Sequence, residues 1–276
     1  MISPLDIVES VRLNKMVKVK DIAAVIEAFA PKELQESYDN TGLQVGDPEM
    51  GVSAVLLCLD ITEDILDEAL RRGCNMVVCH HPLLFRGLKE ITGRTASERI
   101  VIKAIRSNVA IYAAHTNLDS VWDGVSHEMA HSLGMRRLAV LEPKDCEGRC
   151  GLGVIGDITP TPKLEFLRKV KETFEVKGLR FSSQSPQLVV KRVAICGGAG
   201  ASLIPDAIKA GADAIITGDV KYHDFTNYGL DIIIADIGHY EGELCSRRIL
   251  SRVIREKYPD FVVYFAENET NPISTI

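Results

Sequence analysis

Short uninterrupted apolar runs alternate along this chain with longer stretches in which apolar residues return every third or fourth position. The first pattern suits strands buried on both faces, and the second suits amphipathic helices packed over them. Val19 to Ala30 reads as a first helix and Ala54 to Leu59 as a strand. Thr62 to Arg72 follows as a helix with Ile65, Leu66, Ala69 and Leu70 on one face and Gly73 placed to end it, and Met76 to Cys79 is the next strand. A helix at Ala96 to Arg106, a strand at Val109 to Ala114 and a helix at Val121 to Leu133, closed by Gly134, continue the series. Such alternation predicts an α/β fold with mainly parallel sheets.

The series then begins again. A shift of 138, from Val55 to Val193, lays V-L-L-C at 55–58 over V-A-I-C at 193–196 and keeps its register. Ile65 and Leu66 fall on Leu203 and Ile204, Gly73 on Gly211, and Val77 and Val78 on Ile215 and Ile216. Looser echoes flank these units, 41–47 with 151–157 and 111–114 with 233–236. The matches predict two similar α/β/α lobes related by internal duplication, 1–136 and 137–276, with a site in the cleft between them. Glu142 to Arg149, polar and carrying Pro143 and Gly148, is the most linker-like stretch.

Composition adds mainly exclusions. A chain of 276 residues with 46% hydrophobic and 25% charged content is neither disordered nor a disulfide-stapled miniature. Its longest apolar runs, such as Ala54 to Leu59 and Ile232 to Ala235, fall far short of the roughly 20 residues that cross a bilayer. The amino-terminal stretch contains Asp6 and Glu9 and lacks the apolar core of a secretion signal, and Met16 is as good a start as Met1. Seven cysteines, an odd number, with Cys58, Cys79 and Cys196 inside strand-like runs, point to a reducing cytoplasm. Cys146 and Cys150 have the spacing of half a zinc site, but no second pair matches them, so they read as loop thiols. A net charge of −6 with scattered Lys and Arg gives no electrostatic reason to expect nucleic acid.

In open parallel sheets ligands settle beyond the carboxyl ends of strands, and the histidines gather there. Met76 to Cys79 runs into His80, His81 and Pro82, the strand ending at Ala114 into His115 and Asp119, and the strand ending at Asp236 into His239 and Glu243. His223 follows the strand-like Ile215 and Ile216, while His127 and His131 lie on a helix. Imidazole and carboxylate together suit zinc, manganese, iron or nickel. Pro82 ends ladder pairing, which lets His80 and His81 diverge toward neighbouring ions. His239 and Glu243, at i and i+4, share one helical face about 5–6 Å apart, and Asp119 is either a ligand or the cap of a helix starting near Val121. Five candidates are too many for one tetrahedral ion with an open position. They suit two ions about 3.5–4 Å apart that share a carboxylate and a water, which is a hydrolytic arrangement.

At these positions the chain resembles the GTP cyclohydrolase 1 type 2, or NIF-three-like, family of dinuclear metal proteins. The segments that carry the resemblance are S-Y-D-N-T-G-L-Q-V-G-D at 37–47, V-V-C-H-H-P-L-L-F at 77–85, A-A-H-T-N-L-D at 113–119, T-G-D-V-K-Y-H at 217–223 and G-H-Y-E-G-E at 238–243. The resemblance implies that His80, His81, Asp119 and His239 each ligate one of two divalent ions, that Glu243 bridges them, and that His115 and His223 line the site. It also implies a short form without the extra domain that some members carry between their halves, a ring-like homohexamer, and a small-molecule substrate, GTP, whose guanine imidazole ring is opened. His115 and His223 are then candidate catalytic proton carriers, since imidazole accepts and donates near neutrality. For the triphosphate, Arg86, Lys89, Arg94 and Lys221 lie near the motifs in sequence, and the glycine-rich Cys196 to Ala201 offers amides before a helix; neither forms a recognised cradle. Three readings stay open: a nucleotide ring hydrolase, a two-metal phosphoesterase, and a metal-binding regulatory or interaction protein without turnover. The histidine-rich set favours the first over the second.

Overall fold

The structure, a computed structural model, describes residues 16–144, 147–274 and 276, so Cys146 and everything before Met16 lie outside the described residues. From the amino end come helix α1 (Val19–Phe29), strands β1 (Gly42–Val45) and β2 (Val55–Cys58), α2 (Glu63–Arg71), β3 (Met76–Cys79), α3 (Ala96–Arg106), β4 (Ala110–Ala113), α4 (Thr116–Ser120) and α5 (Val125–Leu133). The second half contributes β5 (Arg136–Pro143), β6 (Gly151–Pro162), α6 (Lys163–Thr173), β7 (Arg180–Phe181), β8 (Val189–Ile195), α7 (Ile204–Lys209), β9 (Ala214–Thr217) and α8 (Tyr222–Tyr228). It ends with β10 (Ile233–Asp236), α9 (His239–Glu243), α10 (Ser246–Lys257) and β11 (Val263–Phe265).

Two sheets form, ordered β1-β4-β3-β2-β11 and β5-β6-β8-β9-β10-β7. Within them the order β1-β4-β3-β2 recurs as β7-β10-β9-β8. In each case three strands are parallel and the fourth, the earliest in sequence, is an antiparallel edge. The 138-residue shift holds in register as well, since Val55 pairs with Met76 and Val193 with Ala214. The looser echoes fare differently. Segment 41–47 contains the edge strand β1, whereas 151–157 lies in β6, between β5 and β8, so the two are not equivalent. β4 and β10 do occupy equivalent places, but one residue out of the sequence alignment: Ile111 pairs with Val77 as Ile234 pairs with Ile215.

Three local features depart from the sequence reading. The linker-like stretch near 142–149 connects the antiparallel β5 and β6, with Pro143 opposite Gly151, so its polar and turn-forming residues serve a hairpin. The helix expected from Val121 starts at Val125. Asp123 takes a positive φ of 61°, and a β-carbon on Gly124 would lie 2.0 Å from the Leu118 carbonyl, so the chain kinks between two short helices. Finally, β11, in the second half of the chain, pairs in parallel with β2 of the first sheet.

Strands of four residues bury both faces because alternate side chains enter different cores. Val55, Leu57, Met76 and Val78 of the first sheet share one core with Val193, Ile195, Ala214 and Ile216 of the second, together with residues of α1, α5, α6 and α10. Leu56, Cys58, Val77 and Cys79 pack outward under α2 and α3, and Ala194 and Ile215 pack under α7. Each Val, Leu, Ile or Met among them contributes about 1.5–3 kcal/mol when fully buried, and the alanines less. With both faces closed, polar chemistry is confined to the strand ends. Among the described residues no helix is long and apolar enough to cross a membrane.

Candidate metal centre

β3 stops at Cys79, where the amides of His80 and His81 both donate to the Leu59 carbonyl at 3.1 and 2.9 Å, and the two imidazoles leave in different directions. His80 is fully buried. Its Nδ1 is bonded to the Ala114 carbonyl at 2.7 Å, and its Nε2 lies 3.6 Å from Asp119 Oδ1 and 3.8 Å from Glu243 Oε1. His81 is held through Nδ1 by Asp60 at 2.8 Å, with Nε2 2.8 Å from Glu243 Oε2. His239, opening α9 after the positive-φ Gly238, is held through Nδ1 by Asp219 at 2.8 Å, and its Nε2 is 2.9 Å from the same Oε2. His115 is held by Asp39 at 2.8 Å, its ring centroid 5.3 and 5.4 Å from those of His80 and His81. All four rings are thus anchored through Nδ1 to an oxygen, the arrangement that orients imidazoles for metal binding through Nε2.

The donor atoms fit a cation. His80 Nε2 and Asp119 Oδ1 are buried without a hydrogen-bond partner, an arrangement that costs about 1–3 kcal/mol for each group in the absence of an ion. His81 Nε2 and His239 Nε2 stand 3.3 Å apart, where two protonated nitrogens repel and two bare lone pairs do the same. A divalent ion between them relieves both. His81, His239 and Glu243 form one group able to hold an ion; His80, Asp119 and Glu243 form another; and His115 joins His80 and His81 in a third.

The electrostatics of the metal-free cluster follow from burial and these contacts. Burial opposes charge on His81, but bonds to Asp60 and Glu243 prevail and push its pKa up to about 10. Glu243 holds His239 up at about 9 against burial, with help from Asp219. Burial raises Asp119 to about 7, with His80 pulling it down and Glu243 pushing it up. Glu243 stays well below the usual carboxylate range despite its burial, because His239 and His81 bond to it and His80 stands close by. A bound cation takes the place of protons on the two histidines and on Asp119.

Asp39, Asp60 and Asp219, which brace the rings, are candidates that sequence reasoning did not single out, although Asp39 and Asp219 sit inside the resembling segments. Asp219 carries a further signal, a positive φ of 53° on a non-glycine residue. His223, expected to line the site, is exposed on α8 against Tyr222, with ring centroids 5.5 Å apart, and belongs to none of the donor groups. The glycine-rich turn after β8 is not a free amide cradle. Gly197 N donates to Ser126 Oγ, and Gly200 N donates to Thr217 Oγ1. Its glycines serve Glu243 instead: Gly198 has a φ of +60°, and a β-carbon there would stand 1.9 Å from Glu243 Oε1.

Imidazoles and carboxylates gathered from the strand ends of two sheets, each ring braced from behind, define a candidate divalent-metal protein on an α/β scaffold. The Duf34/NIF3 (NGG1p interacting factor 3) family matches residues 17–272. A GTP cyclohydrolase 1 type 2 homolog of Clostridium acetobutylicum is 37% identical over 238 residues, 85% of this chain and 88% of that protein. One of the same name from Lactococcus lactis is 36% identical over 264 residues, 94% of this chain and all of that one (100%). The crystal structure of a Bacillus cereus protein related to NIF3 superposes with a TM-score of 0.87 at 25% identity, covering 95% of this chain and 100% of the other. The chain belongs to the Duf34/NIF3 family.

Proposed function

We propose that this chain is a dinuclear metal-dependent hydrolase that opens the imidazole ring of a purine nucleotide, in keeping with the GTP cyclohydrolase name its relatives carry. The observation that carries the reading is Glu243, a buried carboxylate whose two oxygens face separate sets of donors. In this reading His81 and His239 would hold one ion and His80 and Asp119 the other, with Glu243 available to both groups. Two divalent ions, when bound, supply Lewis acidity and a water acidified toward neutrality.

The chain's own side chains do the remaining work. Asp60, Asp219 and the Ala114 carbonyl fix the ligand imidazoles, so no reorganisation is needed at the moment of reaction. Opening the ring adds water across a carbon–nitrogen bond, which removes a proton from the water and delivers one to the departing nitrogen. His115 adjoins the cluster and is oriented by Asp39, so we assign it this transfer; His223 is not assigned a part. Assembly as a homohexamer belongs to the same reading, on the resemblance alone.

Metal-reloaded protein incubated with GTP and a panel of phosphoesters, with product masses read out, tests the proposal. A guanine product heavier by one water, with the phosphates intact, is expected. Released phosphate would instead mark a phosphoesterase, and an unchanged mixture a metal-binding protein without turnover.

A further inference from the structure

The mouth of the metal cluster carries an aromatic pair that the metal chemistry leaves unused. Tyr38 is 65% exposed and Phe85 44% exposed, their ring centroids 6.2 Å apart in an edge-to-face arrangement at 63°. Phe85 in turn stands 6.2 Å from the His115 ring, which adjoins His80 and His81. Neither aromatic sits on a loosely tethered loop. Asn40 Nδ2 donates to the Leu84 carbonyl at 2.8 Å, and the Leu84 amide donates to Gln44 Oε1 at 3.2 Å, tying the Tyr38 segment to the Phe85 segment. Asp39, next to Tyr38, accepts from the Thr116 amide at 3.1 Å and holds His115 at 2.8 Å, which ties both to the cluster.

Large rings left out of the core, on segments that hydrogen bonds tie to one another beside a reactive cluster, form one side of a contact awaiting its other side. The surroundings define the chemistry of the missing side. An exposed aromatic pair beside the cluster offers its faces to a flat, uncharged heteroaromatic ring. Arg86 and Lys89 follow Phe85 in the same loop, exposed and without a charged or hydrogen-bonding partner among the described residues.

We infer that Tyr38 and Phe85 form the platform on which the flat base of a nucleotide stacks beside the metal ligands, with Arg86 serving its phosphates. The inference rests on the proposed function for the class of substrate and adds the residues that select it. Stacking on an aromatic side chain is tolerant of base identity, and its loss weakens binding by roughly tenfold or more.

The test titrates zinc-reloaded wild type, Tyr38→Ala, Phe85→Ala and Phe85→Trp with GTP, guanosine and inorganic tripolyphosphate. Metal content and assembly size by light scattering are measured on the same samples. GTP and guanosine should bind Phe85→Ala and Tyr38→Ala about tenfold or more weakly, with tripolyphosphate affinity, metal content and assembly size unchanged, while Phe85→Trp retains binding. Undiminished GTP affinity in both alanine variants overturns the inference, as does wild type that binds neither GTP nor guanosine. A change in assembly size also overturns it and assigns the pair to a contact between copies of the chain. Because binding is read without turnover, wild type that binds GTP but leaves it intact contradicts the hydrolase reading alone. Hydrolysis with unimpaired binding in both alanine variants contradicts the platform alone.

Discussion

Four oxygens, on Asp60, Asp219, Asp39 and Ala114, decide what the clustered imidazoles can do, because each occupies an Nδ1 and leaves Nε2 for the centre. His81 near 10 and His239 near 9 both carry protons in the metal-free protein at neutral pH, and an incoming ion must displace them. Zinc affinity should therefore rise with pH from about 6 toward 9, as competition with a chelator would measure; a flat profile contradicts these assignments. The same sign governs the metal-free fold. The folded values lie above the ordinary 6.5, so this stabilisation is complete below 6.5 and fades as pH rises through about 9 and 10. Asp119→Asn and His239→Ala touch one donor group each, so each should lose about half the bound metal by elemental analysis; loss of all or none in both variants contradicts the division into two groups. Histidine type and strand-end position made His80, His81, His115, Asp119, His239 and Glu243 legible in the sequence. The bracing carboxylates were not legible, since Asp60, Asp219 and Asp39 meet their rings across 21, 20 and 76 residues, and an aspartate after a strand looks like any loop residue. His223 also follows a strand, but α8 begins one residue earlier and leaves its ring in solvent, outside the donor groups.

At the scale of elements, the site depends on connections that carry no ligand. Gly198→Ala puts a β-carbon against Glu243 in a left-handed backbone position, so it should destabilise by at least about 1 kcal/mol and lower metal content, read by thermal unfolding and elemental analysis together. Normal stability with full metal would show that the turn tolerates a side chain. The segment after β11 matters for a different reason. Glu269 accepts from the amides of Leu59 and Asp60 at 2.5 and 3.1 Å and pairs with Arg247 at 2.7 Å, which fixes the loop whose Asp60 braces His81. Glu269→Ala leaves those amides unpartnered and strips a mostly buried guanidinium of its carboxylate, with only the Ala266 carbonyl still accepting from it. A loss of about 1–3 kcal/mol in chemical denaturation is expected, with metal binding weakened; unchanged stability would mean the segment is not a brace. Short apolar strands and their helices were legible because both faces are buried and the period is plain. The kink at Gly124 was not, because it arises from the approach of the Leu118 carbonyl, and the hairpin joining β5 and β6 read as a linker because turns and linkers share polar, Pro- and Gly-bearing composition.

For the whole molecule, the donors come from both halves of a duplicated plan. His80, His81 and Asp119 follow strands of the first sheet, while His239 and Glu243 follow a strand of the second, so any ion bridged by Glu243 fastens the two lobes together. The duplication was legible as a 138-residue shift because strand register and the glycines that end helices repeat with it. The β5–β6 pair and the return of β11 to the first sheet were not, since each occurs once and has no counterpart to align. Glu243 belongs both to the group with His239 and to the group with Asp119, so the metal content of wild type and Glu243→Gln, reloaded side by side with zinc and counted per chain, is the most direct test of the proposed centre. Wild type should hold about two ions, and Glu243→Gln should fall well below one, because the neutral amide removes charge and a donor from both groups at once. Wild type that retains less than one ion, or Glu243→Gln that loads as fully as wild type, would contradict a bridged two-ion centre.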